Sequence, residues 1–376
     1  MRQWTTTWAQ AHCGTELFSC NMGGRTLEVT IPVTVEGEAV RLRFSAPYEK
    51  QPVLIQAVSV MEKGIVRQVS FADGEQLLLK PGETAMSSPI KMALTTGSQL
   101  IVRIAYGEDD APVSGNALIT AQYSIQGNYT MAEDFPISDE DICRNPNRPF
   151  HTGVPVYNLC GVDILSKSPA SATAILGDSN TFSGVWTKPL EARIKGPLLN
   201  LGISGNRLLG GTGQTMLMNL FGIAALKRFE WDVLPLCGLK TLIISVGGND
   251  IFQPGTSLGP PQEELPSVKV MIDGYIQLDQ IARGAGITTV CSTLTPAGGA
   301  EKFDREKEEL RCAVNNWIRR SGVFDYILDI AGLVEESGAL RTEFDSGDHL
   351  HLNKGAGRHI ADAIDISIFE GRREKC

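Results

Sequence analysis

The sequence lacks several features that would define whole classes of protein. No apolar run approaches the ~20 residues needed to span a bilayer, and the formal net charge of −9 comes without a basic stripe. The eight cysteines are scattered, with no Cys-x-x-Cys pair and no metal-ligand spacing. We therefore expect no membrane and no nucleic acid among its partners, no bound metal, and cysteines that are reduced and mostly buried.

The N-terminus also lacks the apolar core of a signal peptide. Its first eight residues, Met-Arg-Gln-Trp-Thr-Thr-Thr-Trp, are largely polar. This pattern predicts a cytoplasmic protein, unless a leader has been removed. The length of 376 residues, with 42% hydrophobic and 20% charged residues, is typical of a soluble globular protein with two or three domains.

The first half of the chain alternates apolar and polar residues with a period of two. The alternation predicts strands at residues 27–33, 40–44, 53–60, 76–79, 100–106 and 117–123. Turn signals such as Asp73-Gly74 separate these runs. Short alternating strands at near-regular spacing are typical of an antiparallel β-sandwich, so we predict a jelly-roll-like domain over about residues 20–130.

Nothing in this half points to catalysis. His12 and His151 have no ligand partners at useful spacing, and we interpret both as satisfied or solvated histidines. Trp4 and Trp8 could anchor the N-terminus, although packing in a core is the simpler interpretation. Residues 131–170 form a connector, because an acidic run and two closely spaced prolines interrupt regular structure there. We predict one domain over residues 1–165, connector included, and a second over residues 166–376.

The second half changes to alternating strands and helices. Apolar strands are predicted at residues 172–176, 197–201, 241–246, 288–292 and 326–330, and helical stripes at 271–282, 310–318 and 360–368. This alternation indicates a parallel sheet with helices on both faces. The predicted fold class is therefore α/β, a flavodoxin-like three-layer α/β/α domain preceded by the antiparallel β-sandwich.

Four polar stretches follow predicted strands or precede the last helix. They cover residues 177–179, 200–206, 247–250 and 348–353. Because parallel strands end along one edge of a sheet, side chains on these stretches can converge although they are distant in sequence.

The chemistry of these side chains is complementary. Ser179 can act as a nucleophile once a base takes its proton, and the pKa range of a histidine such as His351 suits that base. Asp348, three residues before His351, can bond the other ring nitrogen. Gly205 and Asn249 can donate hydrogen bonds to a developing oxyanion.

The four stretches together resemble the four blocks of the GDSL-type serine hydrolases, also called SGNH hydrolases, over roughly residues 170–372. The resemblance implies a nucleophile at Ser179, a triad completed by Asp348 and His351, and no cofactor. It also implies that the Ser179 N–H, Gly205 and Asn249 form an oxyanion hole. The usual Gly-Asp-Ser-Ile/Leu-Thr reads Gly-Asp-Ser-Asn-Thr here, and Asn180 changes the turn beside the nucleophile rather than the catalytic atoms.

The whole chain is also similar to a bacterial subgroup that carries a β-sandwich ahead of the hydrolase domain. The similarity rests on residues 41–45, 228–232, 293–296 and 315–319. It implies O-deacetylation of a carbohydrate, with an oligosaccharide or another small ester as the partner. Two alternatives stay open: a lipid esterase or thioesterase on the same triad, and a non-catalytic glycan-binding protein. Whether copies of the chain associate is also open.

We interpret four further features as structural and not as parts of a catalytic or phosphate-binding site. Residues 210–215 superficially resemble a phosphate loop, but the lysine that pairs with phosphates is missing. We expect Asp178 to hold the nucleophile turn, Asp250 to be a helix N-cap, and His349 to point away from the triad.

Overall fold

The computed structural model describes residues 2–143, 153–168, 170–210 and 219–369. The chain divides into two compact units, Met1–Ala170 with Gly213–Leu220, and Ser171–Thr212 with Phe221–Cys376. Across the described part of the chain, no helix combines the length and the apolar character that a membrane crossing requires. His151 and most of the glycine-rich stretch 210–215 lie outside the described residues, so the interpretations of both remain predictions.

The first unit consists of two antiparallel sheets. One sheet is formed by β1 (Gln3–Ala9), β4 (Gly37–Ser45), β8 (Thr84–Met86), β9 (Ile90–Leu94) and β13 (Leu159–Ser166), in the order β1-β13-β4-β8 with β9 also on β4. The other is formed by β2 (Cys13–Gly14), β3 (Arg25–Pro32), β5 (Val53–Glu62), β6 (Ile65–Gln68), β7 (Leu77–Leu79), β10 (Gln99–Tyr106), β11 (Ser114–Gln126) and β12 (Val154–Tyr157). Its order is β12-β11-β3-β10-β5-β6, with β2 on β11 and β7 on β5.

The predicted period of two explains how these sheets bury a core. Leu27 in β3 lies opposite Ile104 in β10, Val29 lies opposite Val102, and all four side chains are almost fully buried in one cluster. Successive strand residues point to opposite faces, so the polar residues between them point away from this cluster. The expected antiparallel sheet domain is confirmed.

The domain is larger than the predicted range of residues 20–130. β1 pairs with β13, so the sheet includes residues that precede position 20 and residues that follow position 130. Trp8 lies on β1 and is buried in the core, as the simpler interpretation proposed. The pairing was missed because it joins segments more than 150 residues apart, and neither segment alone shows a clear alternation.

The expectation that every cysteine is reduced is wrong. Cys20 and Cys143 form a disulfide across a sequence separation of 123 residues. Five others, Cys13, Cys160, Cys237, Cys291 and Cys312, are not disulfide-bonded. Sequence spacing could not show the bond, because Cys20 and Cys143 become neighbours only through a bridge between two distant extended segments.

The second unit contains a five-stranded parallel sheet. Its strands are β14 (Ala172–Gly177), β15 (Leu198–Gly202), β16 (Leu239–Ser245), β17 (Thr288–Ser292) and β18 (Tyr326–Leu328), in the order β15-β14-β16-β17-β18. This is the flavodoxin-like strand order. The order reverses at the first strand, β14, and ligands bind beside the carboxyl end of that strand. Every residue of β14 is buried, as expected for a strand covered on both faces.

Helices connect the parallel strands. They are α1 (Ser179–Phe182), α2 (Thr187–Glu191), α3 (Ala225–Asp232), α4 (Gly248–Phe252), α5 (Val268–Gly284), α6 (Arg305–Arg320), α7 (Ile330–Val334) and α8 (Lys354–Ala363). The predicted stripe on α5 is buried, and so are Leu310, Val314 and Ile318 of the stripe on α6, where Ala313 and Trp317 are half-buried. The third stripe is not one helix, because α8 ends at Ala363 and a separate 3-10 turn follows at Ile366–Phe369.

Candidate active site

The nucleophile candidate Ser179 lies where β14 ends and α1 begins. Asp178 caps α1 as predicted, since its carboxylate accepts a hydrogen bond from the Asn180 N–H at 3.1 Å. Gly177 leaves room for the turn, because a Cβ there would lie 2.0 Å from the Thr181 hydroxyl. Desolvation raises the pKa of Asp178 to about 6, although the Asn180 N–H and nearby His351 oppose the shift. The turn therefore holds Ser179 at the carboxyl edge of the sheet.

A continuous hydrogen-bond chain joins the three predicted triad residues. The Ser179 Oγ lies 2.9 Å from His351 Nε2, and His351 Nδ1 lies 2.5 Å from an Asp348 oxygen. An ionised carboxylate can only accept, so the Asp348 bond places the ring proton on Nδ1 and leaves Nε2 to accept from the serine hydroxyl. The structure thus brings together side chains that are up to 172 residues apart in sequence.

Asp348 is held in its ionised form. Partial burial alone would raise its pKa, but hydrogen bonds from the His351 ring and from the N–H groups of His351 and Leu350 outweigh this and hold the pKa below its ordinary value. The Ser346 hydroxyl donates a further hydrogen bond at 3.0 Å. The carboxylate can therefore orient His351 and stabilise its protonated form.

The oxyanion candidates line the same cleft as the triad. Gly205 follows β15 with a φ of +76°, and a Cβ there would lie 2.2 Å from the Phe221 ring. Asn249, on α4, donates one amide hydrogen to the Asn206 carbonyl at 3.0 Å and retains a second hydrogen. Ser179, Gly205 and Asn249 all border one cleft of about 300 Å³.

Two side chains on or after α4 tie the Asn249 segment to the Gly205 segment. The Asp250 carboxylate accepts hydrogen bonds from the N–H groups of Leu208 and Leu209 at 2.6 and 2.8 Å, and burial raises its pKa. The Gln253 amide donates to the Gly205 carbonyl at 2.8 Å. The prediction that Asp250 is an N-cap is wrong, because Gly247 occupies that position. An acid near a helix start resembles a cap in sequence, and only its distant partners reveal the cross-link.

His349 does not join the triad, as predicted. Its Nδ1 lies 2.8 Å from an Asp345 oxygen, and its backbone takes a φ of +63°. The loop therefore carries two carboxylate–imidazole pairs in adjacent positions, and only the Asp348–His351 pair reaches Ser179.

The cleft walls were not predicted from the sequence. They include the apolar side chains Phe221, Phe252, Leu258, Phe303 and Leu350, and the polar side chains Gln253, Thr256 and Glu301. The Phe252 and Phe303 rings meet edge to face with centroids 5.4 Å apart. These residues come from several segments distant in the chain and share no periodic pattern, so nothing in the sequence groups them. No cluster of three His, Cys, Asp or Glu side chains suited to a metal occurs where the structure is described.

Comparison with known proteins agrees with this geometry. The GDSL-like Lipase/Acylhydrolase family matches residues 171–356, the segment that holds the parallel sheet and all the candidate site residues. The chain therefore contains a GDSL-like lipase/acylhydrolase domain and is a hydrolase of ester bonds. This assignment argues against the alternative of a non-catalytic glycan-binding protein.

Solved structures show more distant similarity. A GDSL-like lipase from Bacteroides thetaiotaomicron is 17% identical, with a TM-score of 0.39 over 55% of this chain and 90% of that chain. An acetyl xylan esterase is 18% identical, with a TM-score of 0.37 over 51% of this chain and 96% of that chain. No curated protein matches the sequence significantly. The family match, and not these distant similarities, assigns the domain.

Proposed function

We propose that Ser179, His351 and Asp348 hydrolyse a carboxylic ester through an acyl-enzyme. The observation that supports this most is the hydrogen-bond chain from the Ser179 hydroxyl to Asp348, which ends in an accessible cleft. His351 Nε2 takes the hydroxyl proton while Oγ attacks the carbonyl carbon. The tetrahedral intermediate then collapses, and the departing alcohol takes that proton from His351. Water activated by the same nitrogen attacks the acyl-enzyme and releases the acid.

The proposed oxyanion hole consists of the N–H groups of Ser179 and Gly205 and the Asn249 side-chain amide. The bonds from Asn249 to the Asn206 carbonyl and from Gln253 to the Gly205 carbonyl hold these donors in place before substrate binds. Preorganised donors stabilise developing charge without a reorganisation cost at the moment of reaction. This favours a mechanism in which the hole lowers the barrier for both acylation and deacylation.

For the substrate we propose an O-acetylated carbohydrate. The sequence resemblance to carbohydrate acetylesterases supports this class. A volume of about 300 Å³ lies at the small end of ligand sites and favours a short acyl group over a long chain. Gln253, Thr256 and Glu301 provide polar groups at the cleft that sugar hydroxyls can meet.

One observation favours a second candidate, an ester with an aryl or compact apolar group. Three phenylalanines and two leucines border the cleft, and the Leu258 side chain is exposed there. Aromatic side chains bury large apolar area on contact with a flat ring. A lipid esterase or thioesterase acting on the same triad is the further alternative.

A substrate panel separates these candidates. We would compare kcat/KM for acetylated xylo-oligosaccharides, for 4-nitrophenyl esters from acetate to decanoate, and for methyl esters of aromatic acids. Acetylated oligosaccharides as the best substrates would support the carbohydrate proposal. A preference for aromatic acids would favour the second candidate, and activity that rises with chain length beyond butyrate would favour a lipid substrate.

The disulfide bears on localisation. The cytoplasmic location expected from the N-terminus stays a prediction, and the Cys20–Cys143 bond weighs against it because cytoplasmic thiols are normally kept reduced. We propose that the folded protein works in an oxidising compartment. Alkylation of the natively expressed protein, followed by mass spectrometry with and without reductant, tests this. Cys20 and Cys143 found as alkylated thiols would contradict it.

A further inference from the structure

We infer that Asn180 is a positioning residue that fixes the catalytic histidine against the nucleophile. This inference rests on the proposed function, because it assigns Asn180 a task within that triad. The Asn180 side-chain oxygen accepts a hydrogen bond from the Leu352 N–H at 3.0 Å. Asn180 directly follows Ser179, and Leu352 directly follows His351.

Two hydrogen bonds therefore join the same two segments side by side. The first runs between Ser179 Oγ and His351 Nε2 at 2.9 Å, and the second between the Asn180 side chain and the Leu352 backbone. The first bond must be broken and remade in every turnover, since its proton moves. The second involves no group that reacts, so it can hold the histidine in place while the first one changes.

Both ends of the second bond are themselves fixed. The Asn180 N–H donates to Asp178, and the Asn180 carbonyl accepts from the Ser183 hydroxyl at 3.1 Å. On the other side, the Leu352 side chain is buried, and the carbonyl of His351 accepts from the Ser346 N–H at 3.0 Å. In the described part of the chain, the Asn180 bond and the Ser179–His351 bond are the hydrogen bonds that join α1 to residues 345–352.

The surroundings of Asn180 favour a role at His351 over contact with the substrate. Ser179 borders the substrate cleft, whereas Asn180 does not. Asn180 instead borders a separate space of about 20 Å³ together with Asp178, Thr293 and Leu352. The aliphatic residue usual at this position has no acceptor for the Leu352 N–H. The departure from the usual motif thus provides an additional link, and the geometry points to positioning rather than to substrate choice.

The test compares Asn180→Leu, which removes the acceptor and restores the usual motif, with Asn180→Asp, which keeps an acceptor of the same shape. We expect Asn180→Leu to lower kcat about 10- to 100-fold with KM within twofold, because small displacements of a catalytic group are costly. Asn180→Asp should keep kcat within about threefold above neutral pH. Its added negative charge should move the acidic limb of the kcat/KM profile to higher pH.

Asn180→Ala serves as a second acceptor-free variant in case leucine prevents folding, and circular dichroism reports the fold of each variant. If Asn180→Leu or Asn180→Ala folds and keeps its kcat within twofold, the inference is overturned. A raised KM at unchanged kcat would also overturn it, because it would indicate substrate contact. Ser179→Ala belongs in the same assay: activity equal to wild type would refute the proposed function itself, whereas an inactive Ser179→Ala beside a fully active Asn180→Leu would refute only the role of Asn180.

Discussion

Among the residues that the structure describes, two serine–histidine pairs have the same hydroxyl-to-ring distance, one pair in each unit. His351 Nε2 lies 2.9 Å from the Ser179 hydroxyl in the hydrolase unit, and His12 Nδ1 lies 2.9 Å from the Ser45 hydroxyl in the sandwich. In both pairs, the serine hydroxyl and a ring nitrogen are at hydrogen-bond distance. The two pairs therefore differ in their surroundings and not in this distance.

The sandwich pair is sealed from solvent. His12 is 4% exposed and Ser45 is 9% exposed. The second ring nitrogen of His12 lies 3.2 Å from the Leu159 carbonyl, which leaves no ring position for a carboxylate. Burial lowers the pKa of His12 to about 4, although the bond to Leu159 opposes the shift. This histidine stays neutral at physiological pH and serves as a satisfied polar group within the core.

The hydrolase pair differs in three respects. The second ring nitrogen of His351 bonds the ionised Asp348, and the His351 side chain is 38% exposed. The pair opens onto a cleft, and the oxyanion candidates Gly205 and Asn249 border the same cleft. A carboxylate partner, access for substrate and nearby donors therefore distinguish the two pairs, and the serine–histidine distance does not.

Removing each serine in turn should give the largest contrast. We expect Ser179→Ala to lower kcat for 4-nitrophenyl acetate by about 10⁶, leaving the residual rate of a site without its nucleophile. Ser45→Ala should leave kcat per folded molecule within twofold, because Ser45 is enclosed in the sandwich. For Ser45→Ala, active-site titration of soluble protein corrects for any loss of folding. Equal activity of Ser179→Ala and wild type would show that Ser179 is not the nucleophile.

Removing the charge of Asp348 would make the Ser179–His351 pair resemble the buried Ser45–His12 pair. We expect Asp348→Asn to lower kcat by about 10⁴, because the asparagine amide favours the wrong ring tautomer and no longer stabilises protonated His351. Steady-state kinetics at several pH values measure this. Asp345→Asn, which alters the neighbouring His349 pair, is the matched control and should change kcat far less. A similar loss in both variants would mean that the loop, and not the triad, was damaged.

Removing one candidate oxyanion donor tests whether the nearby hydrogen-bond donors matter for the Ser179–His351 pair. Asn249→Ala should lower kcat by about 10²–10³ with little change in KM, since the lost bond forms mainly in the transition state. Asn206→Ala is a useful comparison, because its side chain binds the Phe221 and Ile223 carbonyls rather than the cleft. A change in KM alone for Asn249→Ala would indicate a role in ground-state binding.

The smallest expected effect concerns stability and the buried pair. The pKa of His12 is about 4 in the folded protein against 6.5 as its ordinary value. Between these values the unfolded chain binds a proton that the native state does not, so stability falls as the pH drops from 6.5 to 4. The loss should amount to about 3 kcal/mol.

Urea unfolding of the protein between pH 4 and 7.5 measures how the free energy of unfolding of the sandwich depends on pH. His12→Gln should flatten this pH dependence. An unchanged slope in His12→Gln would show that His12 titrates normally.

Much of the fold could be predicted because local patterns carry it. The period of two in β3 and the mostly apolar, fully buried β14 each reflect how a single strand is packed, and consecutive residues in the sequence carry that pattern. Features that depend on distant partners could not be predicted. The pairing of β1 with β13 and the Cys20–Cys143 disulfide both join segments more than 100 residues apart.

The candidate site also contains residues that could be predicted from the sequence and residues that could not. Ser179, Asp348 and His351 could be chosen because their residue types and their places after strands and before the last helix suit the chemistry. The cross-links from Asp250, Gln253 and Asn180 could not, because each depends on which backbone group lies opposite the side chain. The phenylalanine walls of the cleft also become neighbours only in the folded unit.

The sequence by itself determined the fold class of each half and the residues able to carry ester hydrolysis, because period and residue type act locally. Only the tertiary structure shows what separates the Ser179–His351 pair from the Ser45–His12 pair, although the sequence already favoured His351 as the base. Both histidines have a serine at the same distance, and exposure, a carboxylate partner and oxyanion donors come from packing between segments distant in the chain.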